Sequence, residues 1–192
     1  GAVINTAKAS EEDSVAIVGL GGIGLSALLA SIAIGSKKTI AIDLSDEKLA
    51  LAKELGANHT LNPKDENFLE TFLDITSGGA NIAVETAGSG HALKTAYDIT
   101  RRGGTTVAAG MPGPKVEITL SHLSIAAEER VIKGSYMGSC IAQRDIPKYL
   151  DMFQTGKLPV DRLLSRKIKF EDLNEAMDRL DDAKTVREVL IP

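Results

Sequence analysis

The sequence predicts an α/β fold built on a parallel β-sheet that helices cover on both faces. Short apolar segments of strand length alternate with segments of helical spacing along most of the 192 residues. Glycines close several of the helical segments, as they commonly do just past a helix end. Alternation of this regularity is typical of consecutive βαβ units, whose strands run parallel within one doubly wound sheet.

The first elements can be read in chain order. Residues 2–9 have the pattern of a helix end, and residues 15–18 form a short apolar run that we interpret as a buried strand. A helix follows over residues 23–34, where apolar side chains recur every three or four positions up to Gly35. The next strand spans residues 39–42, which completes the first βαβ unit.

Ser45 is the predicted N-cap of the second helix. Asp46 and Glu47 fall in its first turn, where the helix dipole favours acidic side chains, and the helix runs to Gly56. The alternation then continues as strands over residues 59–61, 81–85 and 105–109, separated by helices over residues 67–75 and 91–99.

The last part of the sheet follows a turn rich in proline and glycine. Residues 116–119 are a candidate edge strand, residues 121–127 a short helix, and residues 130–135 a further strand.

From Met137 the pattern changes. The remaining elements are a helix over residues 146–154, a strand over 168–170, a helix over 170–180 and a strand over 186–191. This segment is too short for an independent domain. We therefore divide the chain into a domain of residues 1–136 and an α+β appendage of residues 137–192.

Composition restricts the class of protein. Hydrophobic residues make up 43%, charged residues 25%, and the net charge is −4, a balance typical of folded domains in water. No basic block indicates nucleic acid binding, and no apolar stretch reaches the length of a membrane span. The single cysteine, Cys140, excludes an internal disulfide and a cysteine-rich zinc cluster, and it favours the cytoplasm.

The sequence Gly-Leu-Gly-Gly-Ile-Gly over residues 19–24 joins the first strand to the first helix. In this context Gly19 permits a tight turn, Gly21 admits a pyrophosphate against the backbone, and Gly24 lets the helix pack close to the strand. Free amides at the helix start would hold the anion. The alternative is a turn without a ligand, although four glycines in six residues cost helix stability. The pattern predicts a dinucleotide site.

Asp43 ends the second strand. An acid at this place accepts hydrogen bonds from the adenosine ribose and repels a 2′-phosphate, so the sequence favours NAD over NADP. Asp43 could instead be a turn residue or a helix cap, but Ser45 is the better candidate for the cap. Lys48, one helical turn further on, is placed to reach the same ribose.

These motifs together resemble the zinc-type alcohol dehydrogenases of the medium-chain dehydrogenases. The resemblance is carried by the glycine turn, Asp43 with Lys48, the sequence AKELGA over residues 52–57, Gly103-Gly104, Gly110 and Lys133-Gly134. It spans nearly all of this chain but only the second half of such an enzyme. It implies a Rossmann fold with strand order 3-2-1-4-5-6, followed by the returning part of a catalytic domain.

The resemblance also implies the residues that contact NAD. The expected contacts are Gly21, Gly22, Ile23 and Arg187 at the pyrophosphate, Asp43 and Lys48 at the adenosine ribose, Thr86 and Ala87 at the adenine, and Ala109, Gly110, Met111, Ser135 and Met137 at the nicotinamide. Without the resemblance, Arg187 would be an ordinary surface residue and Thr86 an ordinary residue at a strand end.

In this family the catalytic zinc is bound by Cys, His and Cys at positions that this chain does not contain. We therefore expect no catalytic residue and no metal ligand here, and zinc only in a longer protein that oxidises an alcohol or reduces an aldehyde. Cys140 and the three histidines, His59, His91 and His122, lack ligand spacing. Glu85 is interpreted as structural or close to the cofactor rather than as a general base.

Several alternatives remain open from the sequence. The chain could be a self-standing, non-catalytic module for NAD binding and dimerisation, or a methyltransferase with a similar glycine turn. Short-chain dehydrogenases are disfavoured because no Tyr-x-x-x-Lys occurs, and Asp43 counts against the zinc-free, NADP-dependent reductase branches. The resemblance further implies a homodimer that pairs through residues 116–119 and 130–135.

Overall fold

The computed structural model describes residues 1–179 and 185–191, and the predicted helix end at Leu180 lies outside these residues. One sheet contains β1 (Ser14–Val18), β2 (Lys38–Ile42), β3 (His59–Leu61), β4 (Ala80–Glu85), β5 (Thr100–Ala108) and β6 (Val131–Gly134). All six strands run parallel in the order β3-β2-β1-β4-β5-β6. The predicted Rossmann fold and strand order are confirmed.

Helices connect the strands and continue beyond the sheet. They are α1 (Gly22–Ala33), α2 (Asp46–Glu54), α3 (Phe68–Thr76), α4 (Gly90–Asp98), α5 (His122–Ala127), α6 (Ala142–Gln154) and α7 (Leu173–Asp178), and a short π-helix (Ala2–Ala7) precedes β1. Among the described residues, no helix is both long enough and apolar enough to cross a lipid bilayer.

Strand β1 shows why the sheet is covered on both faces. All five of its residues are buried. Val15 and Ile17 belong to one apolar cluster, which includes Leu28 of α1, whereas Ala16 belongs to a second cluster with Phe72 of α3. Alternate side chains of a strand point to opposite faces, so a continuous apolar run requires helices on both.

The strand registers bring three strand ends together at one edge of the sheet. Val18 of β1 pairs with Ile42 of β2 on one side and with Glu85 of β4 on the other. The chain leaves β1 for β2 in one direction, whereas β4 lies on its other side. Such a reversal opens a crevice at the carboxyl ends of parallel strands, where ligands bind in α/β proteins.

The predicted edge strand over residues 116–119 is wrong, because these residues form no strand. Val116 donates its amide to the carbonyl of Gly113 at 3.0 Å, which closes a turn. The segment then crosses the start of α4, where a Cβ added at Gly90 would lie 3.1 Å from the carbonyl oxygen of Glu117. Strand β5 also begins earlier than predicted, at Thr100, and its register with β4 shifts after the first pair.

Past the sheet, β7 (Arg166–Ile168) and β8 (Glu188–Leu190) form a separate parallel pair around α7. Strand β7 ends before the predicted 168–170 because the carboxylate of Asp172 accepts the Lys169 amide at 3.3 Å and starts a 3-10 helix at Phe170. Arg179 donates two 3.0 Å hydrogen bonds to Glu188, which tie the end of α7 to β8.

Candidate dinucleotide-binding site

Two glycines of the turn between β1 and α1 are required by close packing. Gly19 has φ 93°, and a Cβ there would lie 2.8 Å from the backbone nitrogen of Ala87. A Cβ on Gly24 would lie 1.8 Å from the carbonyl oxygen of Gly19 and 2.7 Å from Thr86 Oγ1. A side chain on Gly24 would therefore push the start of α1 away from the sheet, and a side chain on Gly19 would push the end of β1 away from the loop after β4.

Gly21 differs from these two glycines, because a side chain at this position would extend into open space. It is the N-cap of α1 with an extended backbone (φ −74°, ψ −170°), and an added Cβ would have no atom within 4 Å. No side chain of the described residues caps the helix here. The first amides of α1 thus face a space that a bound anion can occupy, with the helix dipole in its favour.

The carboxylate of Asp43 fixes the glycine turn through hydrogen bonds to the backbone. Its Oδ2 accepts the Leu20 amide at 2.6 Å, and its Oδ1 accepts the Ser45 amide at 2.9 Å. The carboxylate therefore orients the glycine turn and keeps lone pairs for further donors. Ser45 caps α2, as predicted, since its Oγ accepts the Lys48 amide at 3.4 Å.

A cavity of about 120 Å³ lies beside Asp43, and we call it the adenosine-side cavity after the part of the dinucleotide that the sequence leads us to expect there. Gly19, Asp43 and Ala87 are the predicted residues that line it. Thr86 does not line this cavity but fixes one of its lining residues, because its hydroxyl donates to the carbonyl of Gly19 at 2.6 Å. Lys48 does not line this cavity.

A larger cavity of about 420 Å³ is lined by the α1 end of the glycine turn, and we call it the nicotinamide-side cavity after the part of the dinucleotide that the sequence leads us to expect there. It brings together seven predicted residues from distant parts of the chain: Gly22, Ile23, Ala109, Met111, Ser135, Met137 and Arg187. Arg187 reaches the helix start, since a Cβ on Gly22 would lie 2.8 Å from its Nη2. Ser165 fixes this arginine by donating its amide to the Arg187 carbonyl at 2.8 Å.

Gly110 lines neither of these two cavities. It lines a third, smaller cavity of about 110 Å³ together with Glu85. Glu85 is 2% exposed, its Oε1 accepts the Gly88 amide at 2.5 Å, and its carbonyl accepts the amides of Ala109 and Gly110. Glu85 therefore joins the loops that follow β4 and β5.

Sequence reasoning missed several residues of the two cavities. On the adenosine side these are Leu44, Pro63, Ser89, His91 and Thr95, and on the nicotinamide side they include Ser26, Tyr136 and Gly138. Leu44 and Ser89 come shortly after strand ends, so their position in the chain was a usable signal. The face that His91 presents depends on how α4 packs, which no local pattern reveals.

The described residues do not fit a catalytic zinc. Within residues 1–179 and 185–191, no three His, Cys, Asp or Glu side chains gather in a group that could hold a metal ion. Cys140 is exposed and forms no disulfide.

Comparisons with known proteins show which family the chain matches. A family described as zinc-binding dehydrogenase matches residues 22–155. The chain is 34% identical to the geraniol dehydrogenase of Castellaniella defragrans and 33% identical to alcohol dehydrogenase class-2 isozyme 2 of Oryctolagus cuniculus, covering 100% of this chain and 51% of each relative. Thus the chain spans about half the length of the curated relatives it matches.

The structural comparison gives the same extent of overlap. Benzyl alcohol dehydrogenase from Acinetobacter calcoaceticus superposes with a TM-score of 0.94 at 31% identity, over 98% of this chain and 52% of that one. An alcohol dehydrogenase zinc-binding domain protein from Burkholderia ambifaria also gives a TM-score of 0.94, at 30% identity.

Proposed function

This chain belongs to the zinc-binding dehydrogenase family, and on that premise we propose that it is the coenzyme-binding half of an NAD-dependent alcohol dehydrogenase. The observation that carries the proposal is the pair of cavities that flank the glycine turn at the start of α1. A dinucleotide has two nucleoside ends joined by a pyrophosphate, and this arrangement offers a space for each end with an anion site between them.

Different residues would bind the different parts of the dinucleotide. The amides of α1 and the guanidinium of Arg187, which lies beside Gly22, hold the pyrophosphate, because both are hydrogen-bond donors at the start of α1. Asp43 accepts hydrogen bonds from the adenosine ribose, and Lys48, which does not line the cavity, would have to extend its side chain to reach the same ribose. Met111 and Met137 border the nicotinamide, which accepts or delivers the hydride when the cofactor is bound.

Asp43 supports NAD rather than NADP as the cofactor. Its two oxygens already accept the amides of Leu20 and Ser45, so the carboxylate is held in place. A 2′-phosphate beside it would meet a fixed like charge in a half-buried site.

Calorimetric titration of the chain with NADH and NADPH tests the proposal. We expect NADH to bind more tightly than NADPH, and Asp43→Ala to weaken NADH binding by about tenfold, the effect of losing one charge-assisted contact. Asp46→Ala, which removes an exposed acid near the same strand end, serves as the control and should leave the affinity unchanged. Absence of NADH binding at millimolar concentration would contradict the proposal.

We extend the proposal to the whole protein. The names of the relatives support an alcohol or aldehyde as the substrate class, and zinc with its ligands would come from a part of the protein outside this chain. Residues 1–136 would then be the coenzyme domain and residues 137–192 part of the catalytic domain. The isolated chain should show no dehydrogenase activity, and the whole protein would act in the cytoplasm.

The edge of the sheet supports a homodimer. Strand β6 pairs with β5 on one side, and its other side meets no strand among the described residues. Its Val131 and Ile132 are 40% and 41% exposed. We propose that β6 pairs with β6 of a second copy, without the contribution from residues 116–119 that the sequence indicated.

A further inference from the structure

The turn over residues 135–139 borders the nicotinamide-side cavity in a backbone conformation that needs support. Met137, Gly138 and Ser139 have φ values of 50°, 66° and 49°, so two residues with side chains occupy the left-handed region in a short space. Residues with a Cβ rarely adopt this conformation, and it persists only where surrounding contacts impose it. Met137 is at the same time a lining residue of the cavity.

Thr6 of the π-helix supplies such contacts at both ends of the turn. Its Oγ1 lies 2.7 Å from the Oγ of Ser135 and 2.8 Å from the Oγ of Ser139. One threonine hydroxyl can donate one hydrogen bond and accept another, so Thr6 can bridge the two serines. Thr6 itself does not line the cavity.

The neighbouring residue fixes the middle of the same turn. Asn5 donates its side-chain amide to the Gly138 carbonyl at 3.3 Å and to Asp145 Oδ2 at 3.0 Å. Asp145 is 2% exposed and belongs to α6, the helix that follows the turn. The π-helix is thus attached to the turn and to the helix behind it.

We propose that Thr6 is a positioning residue for the nicotinamide end of the cofactor, acting through the turn over residues 135–139. The proposal depends on the proposed binding of NAD. Without the Thr6 bridge, the turn spends part of its time in relaxed conformations that displace Ser135 and Met137 from the cavity. The measured Kd for a ligand that contacts the turn then rises in inverse proportion to the fraction of molecules with the turn in place.

A comparison of two ligands isolates this effect. NADH carries the nicotinamide, whereas ADP-ribose has the same adenosine and pyrophosphate without it. In Thr6→Val, which preserves the size of the side chain, we expect the Kd for NADH to rise about five- to tenfold and the Kd for ADP-ribose to change by less than about twofold. Calorimetry on the full chain measures both constants, and circular dichroism checks folding.

Further variants refine the test. Thr6→Ser retains the hydroxyl and should restore NADH affinity to within about twofold of the original, while Ser139→Ala removes one of the two bonds and should give a smaller, NADH-specific loss. Thr155→Val is the matched control, because that hydroxyl donates to the Asp151 carbonyl at 2.8 Å at the end of α6 and lies outside both cavities.

The outcomes are distinguishable. Equal weakening of both ligands in Thr6→Val, including loss of both through unfolding, would overturn the positioning role and leave NAD binding intact as a proposal. Unchanged affinity of Thr6→Val for both NADH and ADP-ribose would also overturn the positioning role. Failure of the unaltered chain to bind either ligand would instead contradict the proposed function, and the role of Thr6 with it.

Discussion

At the scale of single residues, the glycines of one turn have opposite consequences for folding and binding. A side chain on Gly24 would collide with the Gly19 carbonyl at 1.8 Å, whereas a side chain on Gly21 would extend into open space. The backbone of Gly21 is also one that any residue can adopt. Gly24 is therefore required by the fold, whereas Gly21 leaves open the space that we propose for the pyrophosphate.

This difference predicts opposite effects for substitutions at the two glycines. Gly21→Leu should leave the melting temperature nearly unchanged and raise the Kd for NADH by more than about tenfold, because the side chain occupies the space of the pyrophosphate. Gly24→Ala should destabilise the chain by about 2 kcal/mol through overpacking. Thermal unfolding and calorimetry separate the two effects. A Gly21→Leu variant that binds NADH normally would place the pyrophosphate elsewhere.

Arg187 gives a second prediction at this scale. Its guanidinium lies at Gly22 in the larger cavity, where we propose that the pyrophosphate binds, so Arg187→Ala should weaken NADH and ADP-ribose alike by about tenfold. Arg166→Ala, an exposed arginine of β7 that lies 3.9 Å from Glu188, is the control and should affect neither ligand. An effect confined to NADH would assign Arg187 to the nicotinamide instead.

At the scale of elements, local patterns predicted the parts of the molecule that local forces determine. Strand β1, the glycine turn and the Ser45 cap each have a signature in consecutive residues, and each lies where the pattern indicated. Residues 116–119 have strand-like composition, but their packing across α4 decides their conformation. The Thr6 bridge joins side chains 129 and 133 positions apart, so no local pattern could reveal it.

The hydrogen bonds of Asp145, which attach α6 to the rest of the chain, predict that the stability of the fold depends on pH. Asp145 accepts hydrogen bonds from Arg144, from the Ile141 amide and from Asn5, and the Arg144 contact foremost lowers its pKa well below the usual range. A carboxyl with a lowered native pKa stabilises the fold above its unfolded pKa, about 3.9, and this contribution is lost as the pH falls below that value.

We therefore expect the melting temperature of the chain to fall between about pH 4 and pH 2. Asp145→Asn should be less stable at pH 7 and should show a shallower decrease over that range. The control is Asp151→Asn, on an exposed part of the same helix. Parallel pH profiles for the original chain and Asp145→Asn would show that this carboxylate does not govern acid stability.

At the scale of the whole molecule, the exposed edge of the sheet predicts assembly. An unpaired edge strand with exposed apolar side chains is a template for pairing with another strand. Sedimentation should detect a dimer, and Ile132→Lys on β6 should convert it to a monomer. Val189→Lys, on β8 with similar exposure, should leave the dimer intact. A monomer at all concentrations would contradict pairing through β6.

The nicotinamide-side cavity also has a consequence for the order in which the molecule forms. Its lining draws on Gly1, on the turn over residues 135–139 and on Arg187, so it closes loops that span nearly the whole chain. Closing long loops costs entropy and tends to come late in folding. During synthesis, the glycine turn and Asp43 can assemble long before Arg187 leaves the ribosome. If the dinucleotide binds as proposed, the place for its adenosine end therefore forms before the place for its nicotinamide end.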